Sequence, residues 1–103
     1  MIFHLTEPER WARSLAEGVH TGSTRGVELA DEGFIHCSSA HQWAAVRDRF
    51  YADVDLLLLL HVDEALVDCP VVWEQLGDAP AEFPHLYGPL PLAAVVRVEE
   101  LRR

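Results

Sequence analysis

Three histidines stand in segments able to aim them. His4 lies in Ile2-Phe3-His4-Leu5-Thr6, His36 in Gly33-Phe34-Ile35-His36-Cys37-Ser38, and His85 in the proline-rich run Phe83 to Pro91. An imidazole donates, accepts or relays a proton near neutral pH, so a converging set could serve as acid, base or polar anchor. Glu74, after Trp73, adds a carboxylate, while Ser38 and Tyr87 add hydroxyls. Each has an ordinary role when taken alone. A single histidine is most often a packed residue with one hydrogen bond, and a strand glutamate often faces water or pairs with an arginine such as Arg97. A serine before a helix is often a cap, and a tyrosine usually packs its ring. Together they make a site the stronger reading. His20, His41 and His61 are less marked.

Other chemistries find less support. Adjacent strand residues point to opposite faces, so Cys37 is separated from His36 and a Cys-His dyad is disfavoured. No Gly-x-Ser-x-Gly elbow accompanies Ser38 or Ser39. The histidines lack the short spacings of zinc sites, and no metal is expected. The chain contains no lysine, which removes Schiff-base chemistry and the Walker-type phosphate loop.

Short elements must position these groups. Ile2 to Thr6 reads as a strand, and Thr6-Glu7-Pro8-Glu9 as a capping box opening a helix to Glu17, stopped by Gly18. Val19 to Arg25, rich in Gly, Ser and Thr, reads as an exposed loop able to act as a lid. Gly33 ends a turn before the strand Phe34 to Ser38, whose parity puts Phe34, His36 and Ser38 on one face and Ile35 and Cys37 on the other. Ser39 with Gln42 suggests a capped helix over Ala40 to Phe50, burying Trp43, Val46 and Phe50. Leu56 to Val62 is almost wholly apolar and fits a central strand covered on both faces. Val71 to Glu74 and Val95 to Glu99 complete the strands. The expected fold is α+β: a single domain over residues 1–103, with two main helices on a mixed sheet of five or six short strands.

The balance of 17 acidic against 8 basic residues gives a net charge of −9, which argues against nucleic acid and anionic membranes as partners. Cys37 and Cys69 match no redox or metal spacing, and the first residues carry charge and a proline where a secretory signal needs an apolar run. A cytoplasmic, reduced chain is the resulting expectation.

The blocks Ile2-Phe3-His4-Leu5, Glu32-Gly33-Phe34-Ile35-His36-Cys37-Ser38, Trp73-Glu74 and Phe83 to Pro91 resemble those of a small bacterial family, numbered nine hundred and fifty-two among domains of unknown function. Their order is also similar to that of the ADP-ribosyltransferase superfamily, especially its RNA 2'-phosphotransferase branch. That second resemblance implies an ADP-ribosyltransferase-like fold and NAD, or a related nucleotide, as substrate in a cleft lined by His4, His36 and His85. His4, His36, Ser38 and Tyr87 would bind the nucleotide, with His36, His85 and Glu74 catalytic in a transferase or glycohydrolase. His85 stands where that superfamily usually carries a glutamate, so the carboxylate would come from Glu74 or Glu82. The alternative is a non-catalytic module of the same fold that binds a small molecule or partner; an RNA phosphotransferase would need Arg25, Arg47 or Arg97 to line the cleft.

Overall fold

The computed structural model describes residues 1–103. Its organising strand is β4 (Leu56–Val62), with β1 (Ile2–Thr6) antiparallel on one side and β8 (Val95–Arg102) antiparallel on the other. Alternation along β4 sends Leu58, Leu60 and Val62 into one core cluster and Leu57 and Leu59 into a second. Both faces are thus covered, as an uninterrupted apolar run requires. The wholly buried Leu60 contributes on the order of 2 kcal/mol by leaving water.

A second three-stranded sheet has the order β3 (Ile35–His36), β6 (Phe83–Leu86), β5 (Val71–Glu74). A two-stranded ribbon pairs β2 (Val19–His20) with β7 (Leu90–Pro91). The expected single mixed sheet is therefore corrected to three pieces, in which all five strand pairings are antiparallel. The two larger sheets meet where Phe3 and Ser38 exchange backbone hydrogen bonds of 2.8 and 2.7 Å.

Three α-helices connect these strands: α1 (Pro8–Glu17), α2 (Leu29–Glu32) and α3 (Trp43–Phe50). Pro8 opens α1 at a position where its missing N–H costs nothing, and Gly18, at φ 82°, closes it. No side chain caps α1, and its N-cap is Glu7, so the expected box on Thr6 does not form. A capping box appears instead between Glu28 and Asp31 of α2. α3 begins later than Ala40, because residues 40–42 form a turn. The Gln42 carboxamide accepts from the Ser39 N–H at 2.9 Å, giving half of the expected box. Val46 is buried and Trp43 packs against the second cluster, whereas Phe50 is exposed. No helix is long and apolar enough to cross a membrane.

Candidate functional site

β6 places its side chains by simple parity. Leu86 enters the first core cluster, while Phe83 and His85 face α3 across a cleft. Antiparallel pairing sets His36 directly opposite His85 and Ile35 opposite Leu86, so His36 shares the cleft face while Ile35 and Cys37 are buried behind it. Glu74 pairs with Phe83 on the other side of β6, one diagonal step from His85. Three short strands thus bring His36, His85 and Glu74 to one wall. The cavity in front of them measures about 330 Å³, with Val46, Arg49 and Phe50 of α3 opposite.

The wall is tightly organised. The carboxylate of Glu74 accepts through Oε1 from His85 Nδ1 at 2.9 Å and also from the Tyr87 hydroxyl. These two bonds hold the Glu74 carboxyl below its usual range, Tyr87 contributing more than His85, and the same carboxylate raises the Tyr87 phenol. With Nδ1 committed as donor, a neutral His85 keeps its lone pair on Nε2. Phe34 stacks on His85 with centroids 4.0 Å apart and planes at 19°. His36 lies 5.4 Å from His85 and 4.9 Å from Phe83, centroid to centroid. Burial first, then the neighbouring His85 and His4, lower the pKa of His36 to about 4, so its ring is neutral at pH 7. Glu32, Glu74 and Asp78 line the cleft against Arg49 alone, which makes it acidic.

His4 lies elsewhere: it is 2 % exposed and sits behind the cleft wall. Its Nδ1 donates to the His36 carbonyl at 2.7 Å. That carbonyl can only accept, which fixes the protons of both buried imidazoles, His4 and His20. His4 Nε2 accepts from His20 Nε2 at 3.0 Å, and His20 Nδ1 accepts from the Ser14 hydroxyl at 2.6 Å. Ser14 accepts in turn from Arg10 Nη1 at 2.9 Å, and Arg10 is held bidentately by Glu28. Burial, reinforced for both rings by the Arg10 charge and for His20 by His4, lowers His4 to about 4 and His20 to about 2. The hydroxyl of Ser23 accepts from the His36 N–H at 3.1 Å. Both backbone groups of His36 that face away from β6 are therefore held by side chains.

Ser38 is buried at the Phe3 bridge, outside the cleft lining, and Tyr87 stands at the edge of the wall, 39 % exposed. The cleft accordingly gathers His36, His85 and Glu74, with Tyr87 bonded to Glu74, and leaves His4 and Ser38 behind His36. The Val19 to Arg25 segment is more ordered than a free loop. It contains β2, and Arg25 pairs with Asp53 at 2.5 and 3.0 Å. Sequence parity put Phe34 on the His36 face without marking it as part of the wall. His20, Ser14 and Ser23 carried no local signal, since their partners lie in other segments.

Residues 5–98 match the family described as "Protein of unknown function (DUF952)". The chain belongs to that family. The crystal structure of protein CC0527 from Caulobacter crescentus, a structural-genomics target, is similar at 31% identity with a TM-score of 0.81, covering 97% of this chain and 84% of that one. The solution structure of CC0527 gives a TM-score of 0.77 at 31% identity, over 98% and 84% of the two chains. No curated protein matches the chain. The DUF952 domain here thus has solved structural neighbours whose names carry no activity.

Proposed function

We propose that the chain binds NAD or a related nucleotide in the cleft between α3 and the β3–β6–β5 sheet, and acts on the bond between nicotinamide and ribose. One observation carries the reading: the cleft combines aromatic walls, Phe34, Phe83 and Phe50, with the carboxylates of Glu32, Glu74 and Asp78. The nicotinamide ring of NAD is a flat cation, and breaking its bond to ribose builds further positive charge on the sugar. Fixed carboxylates in a partly dry site favour that charge. The block order around His4 and His36, read from sequence alone as resembling ADP-ribosyltransferases, implies the same substrate.

In this mechanism the bond from ribose C1' to nicotinamide breaks, with its electron pair leaving on nicotinamide. A new C1'–O bond forms to an acceptor hydroxyl or to water. His85, oriented through Nδ1 by Glu74, takes the acceptor's proton on Nε2. The neutral His36 ring hydrogen-bonds ribose, and Tyr87 closes the outer side against the ring. His4 and Ser38 act from behind by fixing the β3 backbone, in place of the direct contacts that the resemblance implies.

The test is thermal unfolding with NAD, together with chromatographic assay of released nicotinamide. The wild type should gain melting temperature with NAD, His36→Ala should lose that gain, and Glu74→Gln should bind while releasing nicotinamide at least about a hundredfold more slowly. Binding with no release by the wild type would make the domain a non-catalytic nucleotide module. Absence of any shift with NAD would end the nucleotide reading.

A further inference from the structure

We propose that the free edge of β5 receives an extended, basic segment of a partner polypeptide, which adds as a fourth strand beside the cleft. β5 is the outer strand of its sheet, and its only neighbour is β6. The Tyr87 N–H donates to the Pro70 carbonyl at 3.0 Å, which makes that pair a hydrogen-bonded one. In an antiparallel ladder such pairs alternate, so Val72 with His85 and Glu74 with Phe83 also bond inward. The other side of β6 agrees, since Cys37 N–H donates to the Pro84 carbonyl at 3.0 Å. The N–H and C=O groups of Val71 and Trp73 therefore point outward, and neither residue has a hydrogen-bond partner beyond β6.

The outer strands β8 and β5 differ in how they are guarded. β8 carries a register shift opposite His61 and Val62, and its tail alternates charges through Arg97, Glu99, Glu100 and Arg102. Bulges and charges are the usual means of keeping an edge unpaired. β5 has a regular register, no basic residue, and an apolar surround with Val72 38 %, Trp73 45 % and Leu76 46 % exposed. Its shortness suits a peptide better than an extended sheet between two large surfaces.

Charge decides the partner's chemistry. An added residue opposite Glu74 points to the same face as Glu74 and His85, with its Cβ about 5 Å from that of Glu74. Both bonds to Glu74 end on Oε1, so Oε2 is left for a cation. Glu32 and Asp78 line the same cleft, and the chain as a whole carries −9. Arginine or lysine at alternate positions fits this face, and acidic residues are repelled from it. Strand addition at this edge needs no nucleotide in the cleft, so it holds whether or not NAD binds there.

The experiment is fluorescence anisotropy, without NAD, using a short labelled peptide that alternates arginine with valine. Two control peptides replace arginine by glutamate or methylate the backbone nitrogens. The arginine peptide should bind with an affinity that falls as salt rises, and both controls should bind at least about tenfold more weakly. Trp73→Pro removes an outward N–H and no ladder bond, so it should weaken the peptide about tenfold while leaving the far-ultraviolet circular dichroism unchanged. Equal binding of the arginine and glutamate peptides, or undiminished binding of the methylated one, would overturn the proposal. Self-association of the unliganded protein that Trp73→Pro abolishes would overturn it too, by seating a second copy of the chain on this edge.

Discussion

The Nε2 atoms of His4 and His20 stand 3.0 Å apart in the protein interior, joined by one proton that belongs to His20. Their other nitrogens are committed, His4 Nδ1 to the His36 carbonyl and His20 Nδ1 to the Ser14 hydroxyl. Neither ring can accept a second proton without losing a hydrogen bond. The pair is stable only while neutral.

That neutrality makes stability depend on pH. The folded values are about 4 for His4, about 2 for His20 and about 4 for His36, against an ordinary 6.5. Below pH 6.5 the unfolded chain therefore binds more protons than the folded one, and stability falls as pH falls. The contribution is complete above that value, and for His4 and His36 it drains away down to about pH 4. The expected slope is on the order of 1 to 3 kcal/mol per pH unit. Urea unfolding at neutral and mildly acidic pH measures it directly, and a midpoint indifferent to pH in that range would refute the proton assignment.

His20→Ala should cost about 2 to 4 kcal/mol, since it opens space and leaves His4 Nε2 and the Ser14 hydroxyl without their partner. It should also flatten the acid dependence. A loss of stability with an unchanged pH slope would show that His20 contributes bulk alone.

Glu74 controls Tyr87. The wild type's two tyrosines should both ionise above the ordinary value of 10, Tyr51 at about 12 because it is buried, and Tyr87 because it donates to a carboxylate. In Glu74→Gln one of the two transitions should return toward 10 while the other stays. Tyrosinate absorbance during an alkaline titration reads both.

Two glycines should fail for opposite reasons. Gly33, at φ 91°, has nothing within 4 Å of an added Cβ, so Gly33→Ala should cost about 1 to 2 kcal/mol through backbone strain alone. At Gly88 a Cβ would lie 2.6 Å from the Cys69 Cβ, so Gly88→Ala should cost about 1 to 3 kcal/mol by crowding. Adding Cys69→Gly should relieve the second and leave the first untouched. Denaturant midpoints of the double variants decide it.

Much of the cleft wall was legible because strand parity is local. The alternation from Phe34 to Cys37 separates the cleft face from the core face, although the strand itself is only Ile35–His36 and Ser38 leaves the cleft for the Phe3 bridge. The apolar run Leu56 to Val62 marks the middle of its sheet. Glu74 and His85 could be named as chemistry but not joined, because their contact depends on the β5–β6 register. The division into separate sheets was not legible either. It depends on Phe3 meeting Ser38 across 35 residues of chain, which no window of sequence contains. His20 ranked as less marked for the same reason: it stands in a polar stretch that reads as loop, and its burial comes from His4 and Trp11 in other elements.

The two larger sheets touch through a narrow seam: a pair of backbone hydrogen bonds between Phe3 and Ser38, extended by the imidazole of His4 on the His36 carbonyl. Protonation of His4 at Nε2 leaves its Nδ1 bond to that carbonyl in place and breaks the one from His20, so acid loosens the contact behind the seam before the seam itself. Hydrogen exchange at the His20 amide should therefore quicken on acidification, relative to the Phe3 and Ser38 amides, before the two larger sheets come apart.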